Sequence, residues 1–290
     1  MRFSRIGTIV LIFTTVLIGA NCSYYDQIIA RKNLVDGGKA YKNRKFQEAE
    51  QLFRDAISRD PNGENLEGRT AQLFLARTLH SIYIGNRSDT AKAEEAIGEY
   101  KKVLAKDIKD NSSFKAVANL LENLNKKDEW LNWITERANN ENVPPEQRAE
   151  ALTSLAAKQY SCANDISDAE SVKKEVTKDG KAAYQFTKPA NPADFEQLKQ
   201  CAQKGSEIID KAAQLDPNSD SVWSYKANML IQQMRIAEMD GNNDLKEKLK
   251  VEAETAKGKF TELAKIKKDK ADALEAEKKA KEEEANKNKK

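Results

Sequence analysis

Apolar residues recur at helical spacing along most of the chain, with polar residues between them. Ala49, Phe53 and Ala56 show the pattern most clearly, because spacings of four and three residues place them on one face of an α-helix. Two small residues flank one large residue there, so a second helix can approach closely. Pro61 follows Asp60 and ends the predicted helix, since proline lacks a backbone N–H donor and disfavours helix at the preceding residue.

The segment that ends this helix occurs a second time. Residues 56–62 read Ala-Ile-Ser-Arg-Asp-Pro-Asn, and residues 212–218 read Ala-Ala-Gln-Leu-Asp-Pro-Asn. A glycine and a large residue precede each copy, namely Gly38 and Tyr41 before the first and Gly205 and Ile209 before the second. A further set of large and small residues, Trp223, Ala227 and Leu230, follows the second copy. This arrangement resembles the tetratricopeptide repeat (TPR), a helix-turn-helix unit of about 34 residues that stacks into a solenoid. The first repeat departs from the family pattern, because the spacing from Tyr41 to Ala49 is one residue shorter than in the family.

The resemblance implies an all-α, TPR-like helical-hairpin solenoid of about five repeats over residues 22–263. Three weaker units lie between the strong ones. Their predicted core positions are Leu73, Ala76, Leu79, Ala96, Tyr100 and Val103 in the second, Ala118, Leu121, Trp130, Ile134 and Ala138 in the third, and Leu152, Leu155, Ala156, Tyr160, Leu198, Gly205, Ile209 and Ala212 in the fourth.

The fourth unit is interrupted at residues 163–194, which contain turn-forming Asn, Asp, Gly and Pro. They greatly exceed the short turn of a repeat, so they predict an inserted loop. Cys162 and Cys201 flank it, at the expected adjoining ends of two helices. In an oxidising compartment we expect them to form a disulfide that closes the loop, which requires Cα atoms within about 7 Å. Two separately buried thiols are the alternative.

The two ends of the chain have compositions of their own. Residues 1–21 carry Arg2 and Arg5 before an apolar run, which is typical of a signal peptide. Gly-Ala-Asn precedes Cys22 and resembles a bacterial lipobox, which implies lipidation of Cys22; an ordinary secretory signal or an uncleaved anchor is the alternative. Residues 264–290 are a charged low-complexity tail with few large apolar side chains, so we expect a solvated helix or disorder.

Charge and composition exclude several function classes. The net charge is +3 and falls to +1 when the segment with Arg2 and Arg5 is removed, and both signs are spread along the chain, which argues against nucleic acid as a partner. His80 is the single histidine, and neither a phosphate loop nor a nucleophile elbow occurs in the sequence. We therefore expect no enzyme, no cofactor, no metal and no small-molecule substrate.

In the TPR family, the first helix of each repeat lines a concave groove that binds extended peptides or partner helices. The resemblance implies that the following residues line it here: Lys39, Lys42, Arg77, His80, Lys115, Asn119, Glu122, Tyr160, Ser161, Asn228, Ile231 and Gln232. The predicted function is a lipid-anchored TPR scaffold that binds other proteins or peptides in the bacterial cell envelope, either in the periplasm or at the cell surface. The alternative is a structural envelope protein that associates with itself.

Overall fold

The computed structural model describes residues 24–178 and 180–287, which form ten helices and one β-hairpin. Their order is α1 (24–42), α2 (Phe46–Ser58), α3 (Leu66–Gly85), α4 (Thr90–Lys106), α5 (Asn111–Asn123), α6 (Lys127–Asn139), α7 (Pro145–Ser167), β1 (Lys173–Lys178), β2 (Lys181–Phe186), α8 (Pro192–Leu215), α9 (Asp220–Met239) and α10 (Asn243–Lys287). The predicted all-α fold of successive TPR-like helix pairs is confirmed.

The chain divides after Trp130 into two compact units. In the first, α2 packs on α3, α3 on α4, and α4 on α5. In the second, α7 packs on α8, α8 on α9, and α9 on α10. Within each unit, short turns connect most of these helices, which is the connectivity of repeated helical hairpins.

The first repeat is built around Phe53, which is fully buried together with Ala49 and Ala56, as predicted. The glycine that admits its ring is Gly37, because a Cβ atom at that position would lie 2.7 Å from Phe53 Cε1. Gly38, the predicted glycine, has open space where its Cβ would stand. The glycine of the first repeat is therefore Gly37, so the predicted register of α1 was wrong by one residue. With α1 shifted by one residue, the spacing between α1 and Ala49 is no longer one residue short of the family spacing.

Further predicted core positions are only partly buried, and they include Leu73, Val103, Ala118, Leu155, Tyr160, Trp223 and Leu230. Ala118 is only half-buried, and the buried face of α5 includes Val117 and Leu121. On α9 the fully buried residues include Val222 and Met229, while Trp223 is half-buried. Trp223 instead donates its indole Nε1–H to the carbonyl oxygen of Pro217 at 2.8 Å, and this hydrogen bond stabilises the turn between α8 and α9.

The interruption of the fourth repeat is shorter and more ordered than predicted. Helix α7 continues to Ser167 and α8 begins at Pro192, so the predicted boundaries of 163–194 were too wide. Between the helices, β1 and β2 pair antiparallel. Val172 is buried in a cluster with Phe195 and Leu198, and this contact fixes the base of the hairpin to α8.

A polar network holds the same region to α9. Gln232 is fully buried, and Ser167 Oγ donates to its Oε1 at 2.8 Å. Arg235 donates to Ser167 Oγ at 2.8 Å and lies over the ring of Phe186, with 4.5 Å from its Cζ to the ring centroid. Gln232 was predicted to line a groove, and that prediction was wrong because its amide completes this interior network.

The predicted tail is the end of a continuous helix, since α10 runs from Asn243 to Lys287. Leu263 is buried, while the residues from Lys267 to Glu284 are exposed. Of its two predicted outcomes, the solvated helix is the one observed over the described residues. Among residues 24–178 and 180–287, none of the helices combines the length and apolarity that crossing a bilayer requires.

Candidate binding cleft

The first unit contains a cleft of about 710 Å³ at one edge of α3. The turn between α2 and α3, the first half of α3, the end of α4 and the start of α5 form its walls. The cleft exists because the turn after α2 is fixed close to α3. There, Asp60 accepts hydrogen bonds from the backbone N–H of Glu64 at 2.9 Å and of Asn65 at 2.8 Å, and Gly68 leaves room for its carboxylate.

The carboxylates of the cleft are engaged with backbone N–H groups. Asp60 holds the turn after α2, and Asp107 accepts from Lys109 N–H at 2.9 Å. Asp110 caps α5 by accepting from the N–H groups of Ser112 and Ser113. Burial alone would raise the pKa of Asp110, but the hydrogen bonds from the two serines lower it below its usual value. These acids therefore act within the fold as turn and cap residues.

Four basic side chains line the same cleft: Arg69, Arg77, Lys102 and Lys106. Arg77 stacks on Phe74, with 5.4 Å from its Cζ to the ring centroid, which holds the guanidinium beside the cleft. Lys102 pairs with Glu99 at 2.8 Å while remaining largely exposed. Lys106 is exposed at the last turn of α4. The cleft thus presents guanidinium and ammonium groups beside carboxylates that already have partners.

Apolar surface is available between these charges. Leu73 and Val103 are half-buried and line the cleft, and Pro61 is exposed at its rim. An extended acidic segment fits this chemistry, because its carboxylates can pair with Arg or Lys while one apolar side chain covers Leu73 and Val103.

The predicted groove residues of the first unit do not lie in one pocket. Arg77 lies in the cleft, whereas Lys42 lines a separate depression with Tyr41 and Arg44. Lys39 is exposed on α1 and pairs with Asp36 at 3.0 Å. The remaining predicted positions on α5 are exposed side chains, Lys115 and Asn119.

His80 and Tyr160 each contact an aromatic neighbour. The His80 ring meets Tyr100 edge-on at 6.1 Å between ring centroids, and burial followed by the charge of Arg87 lowers the pKa of its imidazole. In the second unit, Tyr160 packs edge-on against Tyr225 at 6.2 Å. Asn228 is half-buried on α9.

Three of the four cleft cations were missed from the sequence, namely Arg69, Lys102 and Lys106. They lie at a repeat edge formed by a turn and two helix ends, and the family pattern directs attention to the middle of each first helix. The Asp-Pro turn at residues 60–61 was the available signal, since this turn forms the cleft wall near Arg69.

The predicted disulfide is present in the structure. Cys162 and Cys201 are joined with an S–S distance of 2.02 Å, and their Cα atoms are 6.1 Å apart. Cys201 belongs to the buried cluster that also contains Val172. Cys22, the predicted lipidation site, lies outside the described residues. In the part of the chain that the structure describes, there is no group of three His, Cys, Asp or Glu side chains suited to a metal ion.

No family model matches the chain, and no curated protein sequence does. Solved structures that resemble it include PilF of Pseudomonas aeruginosa, at 13% identity over 83% of this chain and 99% of that one, with a TM-score of 0.37. MamA of Desulfovibrio magneticus RS-1 has 12% identity over 83% and 96%, with a TM-score of 0.36. YrrB, described as a TPR protein with an unusual peptide-binding site, has 14% identity over 67% and 90%, with a TM-score of 0.31.

Proposed function

We propose that this protein is a scaffold that binds an acidic, extended segment of another protein in the cleft between α2 and α5. We further propose that it acts in the bacterial cell envelope, held at a membrane through a lipid on Cys22. Several acyl chains on one cysteine give stable attachment, whereas a single chain binds only marginally.

The observation that carries the binding proposal is that the acidic side chains of the cleft accept hydrogen bonds from the backbone, while basic side chains face its open volume. Asp60, Asp107 and Asp110 are hydrogen-bonded to backbone N–H groups, while Arg77 and Lys106 border the open volume. A carboxylate-rich ligand gains these cations without displacing the cap bonds. The disulfide agrees with an exported protein, because such bonds persist in oxidising compartments.

Charge reversal in the cleft tests the binding proposal. The probe is a fluorescent peptide of alternating Glu and Leu, titrated against the purified protein at low salt. We expect Arg77→Glu/Lys106→Glu to weaken binding about tenfold or more, since each reversal costs on the order of 1 kcal/mol and 1.4 kcal/mol is tenfold. Raising the salt concentration should narrow the difference between this variant and the native chain.

A matched control separates a local effect from a change of net charge. Lys204 and Lys211 are exposed on α8, and Lys204→Glu/Lys211→Glu changes the net charge by the same amount. The control should bind the peptide like the native chain. Equal loss in both variants, or no loss in either, would contradict a site in this cleft.

Fractionation tests the anchor. Replacing Cys22 with Ser should release the protein to the soluble fraction or leave it as an unprocessed precursor, because the acceptor thiol is gone. The double variant Cys162→Ser/Cys201→Ser is the control and should stay with the membrane. A Cys22→Ser variant that fractionates and migrates like the native chain would refute lipidation at this residue.

A further inference from the structure

Helix α1 carries one continuous exposed stripe along its described length. We name it the α1 outer stripe, and its residues are Tyr24, Tyr25, Ile28, Arg31, Lys32, Val35, Lys39 and Lys42. At 100° per residue they fall within a sector of about 120°, and from first to last they span about 27 Å. The opposite face, with Ala30, Gly37 and Ala40, is buried against the first repeat.

The chemistry of the α1 outer stripe is apolar and basic. Tyr24 and Tyr25 are 67% and 60% exposed, and Ile28 and Val35 are about half exposed at 48% and 49%. The other four members are Arg or Lys, and none of the eight is acidic. Asp36 stands beside the stripe and pairs with Lys39, which leaves a net charge of about +3 along this face.

This combination distinguishes the stripe from an ordinary solvated helix face. A solvated face usually mixes both charges, as the exposed end of α10 does with its alternating Lys and Glu. Large apolar side chains together with Lys and Arg on one face are typical of helices that lie in the interface of a bilayer. Tyrosine suits the headgroup level, because its ring is apolar and its hydroxyl is polar.

We propose that the α1 outer stripe lies on the surface of an anionic phospholipid bilayer. Tyr24 is two residues from Cys22, so the proposed lipid anchor would bring the tyrosines to the headgroups first. The proposal uses that anchor for delivery, but the contact itself depends only on the stripe. Anionic headgroups complement its four cations, and the acyl boundary can receive Ile28 and the tyrosine rings.

The expected lipid preference follows from the charge. Each Lys or Arg near an anionic surface strengthens attraction about fivefold, so a net of three gives on the order of 100-fold preference over a neutral surface. Reversing Arg31 and Lys32 changes this net to about −1 and should abolish the preference. Salt should weaken binding of the native stripe for the same reason.

Lysine acylation on vesicles tests the contact with the full chain. The protein is reconstituted with vesicles of phosphatidylglycerol or of phosphatidylcholine, attachment is measured by flotation, and labelling of each lysine by mass spectrometry. We expect Lys32, Lys39 and Lys42 to be protected on phosphatidylglycerol and reactive on phosphatidylcholine. Lys204 and Lys211, exposed on α8, should label equally on both.

Two variants complete the test. On phosphatidylglycerol, Arg31→Glu/Lys32→Glu should restore labelling of Lys39 and Lys42, whereas the control Lys204→Glu/Lys211→Glu should keep them protected. If the native chain floats with both lipids while the stripe lysines stay reactive, the lipid anchor is supported and the bilayer contact of the α1 outer stripe is refuted. If the native chain fails to float with phosphatidylglycerol vesicles, both the anchor and the bilayer contact are refuted. Protection by soluble polyglutamate but not by phosphatidylglycerol would identify an acidic protein surface instead and refute the bilayer assignment.

Discussion

Two adjacent glycines on α1 should respond differently to the same substitution. In Gly37→Ala, the new Cβ would lie 2.7 Å from Cε1 and 2.9 Å from Cδ1 of Phe53. The Phe53 ring is fully buried and stands 5.6 Å from Phe74, so it has little room to move. In Gly38→Ala, the new methyl group would meet no atom within 4 Å.

The magnitudes follow from packing and helix propensity. Alanine favours a helix over glycine by about 1 kcal/mol, and this gain applies at both positions. Overpacking at Gly37 costs about 1–3 kcal/mol, so the two variants should differ by that amount. The difference corresponds to about 5- to 150-fold in the opening equilibrium of the first repeat.

Native-state hydrogen exchange on peptides covering residues 24–58 measures this difference. Gly38→Ala should exchange more slowly than the native chain, and Gly37→Ala should exchange faster than Gly38→Ala by the factor above. Adding Phe53→Leu to each variant gives a double-mutant cycle, in which the smaller side chain should relieve the Gly37→Ala penalty. Equal protection of the two alanine variants would refute the placement of Gly37 against Phe53.

Two further effects follow from the disulfide and from the histidine. Replacing both Cys162 and Cys201 by Ser should lower the free energy of unfolding by up to about 4 kcal/mol, because the disulfide joins residues 39 positions apart and closes the loop between them. Urea titrations measure this loss, and an unchanged free energy of unfolding would contradict the prediction. Burial, and after it the charge of Arg87, lowers the pKa of His80 in the folded state below the ordinary value of 6.5. Between the folded pKa and 6.5, the unfolded state therefore binds more protons at this residue than the folded state does. Stability should therefore fall as pH drops through 6.5 toward the lower folded pKa, and His80→Gln should reduce that dependence; an identical pH profile for the variant would refute it.

The sequence predicted the fold well where small and large residues are in fixed spacing. Ala49, Phe53 and Ala56 are all buried, because spacings of four and three residues place them on one face of α2, and α2 packs on α3. The predicted register failed where two candidates stood side by side, as at Gly37 and Gly38. Spacing within one helix cannot decide between neighbours, since the partner side chain comes from another helix.

The interrupted repeat shows a second limit. Cys162 and Cys201 could be paired from their positions along two helices, and the structure contains that bond. The hairpin between them escaped prediction because its base depends on contacts distant in sequence, such as Val172 with Phe195. Gln232 was misassigned for the same reason, as its partner Ser167 is 65 residues away.

The cleft could be predicted only in part. Arg77 follows from its position on a first helix, but Lys102 and Lys106 reach the cleft from the end of the paired helix α4. Another wall of the cleft depends on how the turn at Asp60 packs on Gly68, where an added Cβ would lie 2.3 Å from the Asp60 carboxylate. Such a contact is set by three-dimensional packing and leaves no regular sequence period.

Site-specific photocrosslinking in the cells of origin tests the central claim most directly. A photoreactive phenylalanine replaces Ala105, which is exposed in the cleft wall, and in a matched control it replaces Ala91, which is exposed on the same helix outside the cleft. We predict a discrete protein adduct at Ala105 that maps to an acidic segment of the partner and disappears with Arg77→Glu. Absence of an adduct at Ala105, identical adducts at both positions, or an adduct that persists with Arg77→Glu would contradict the account.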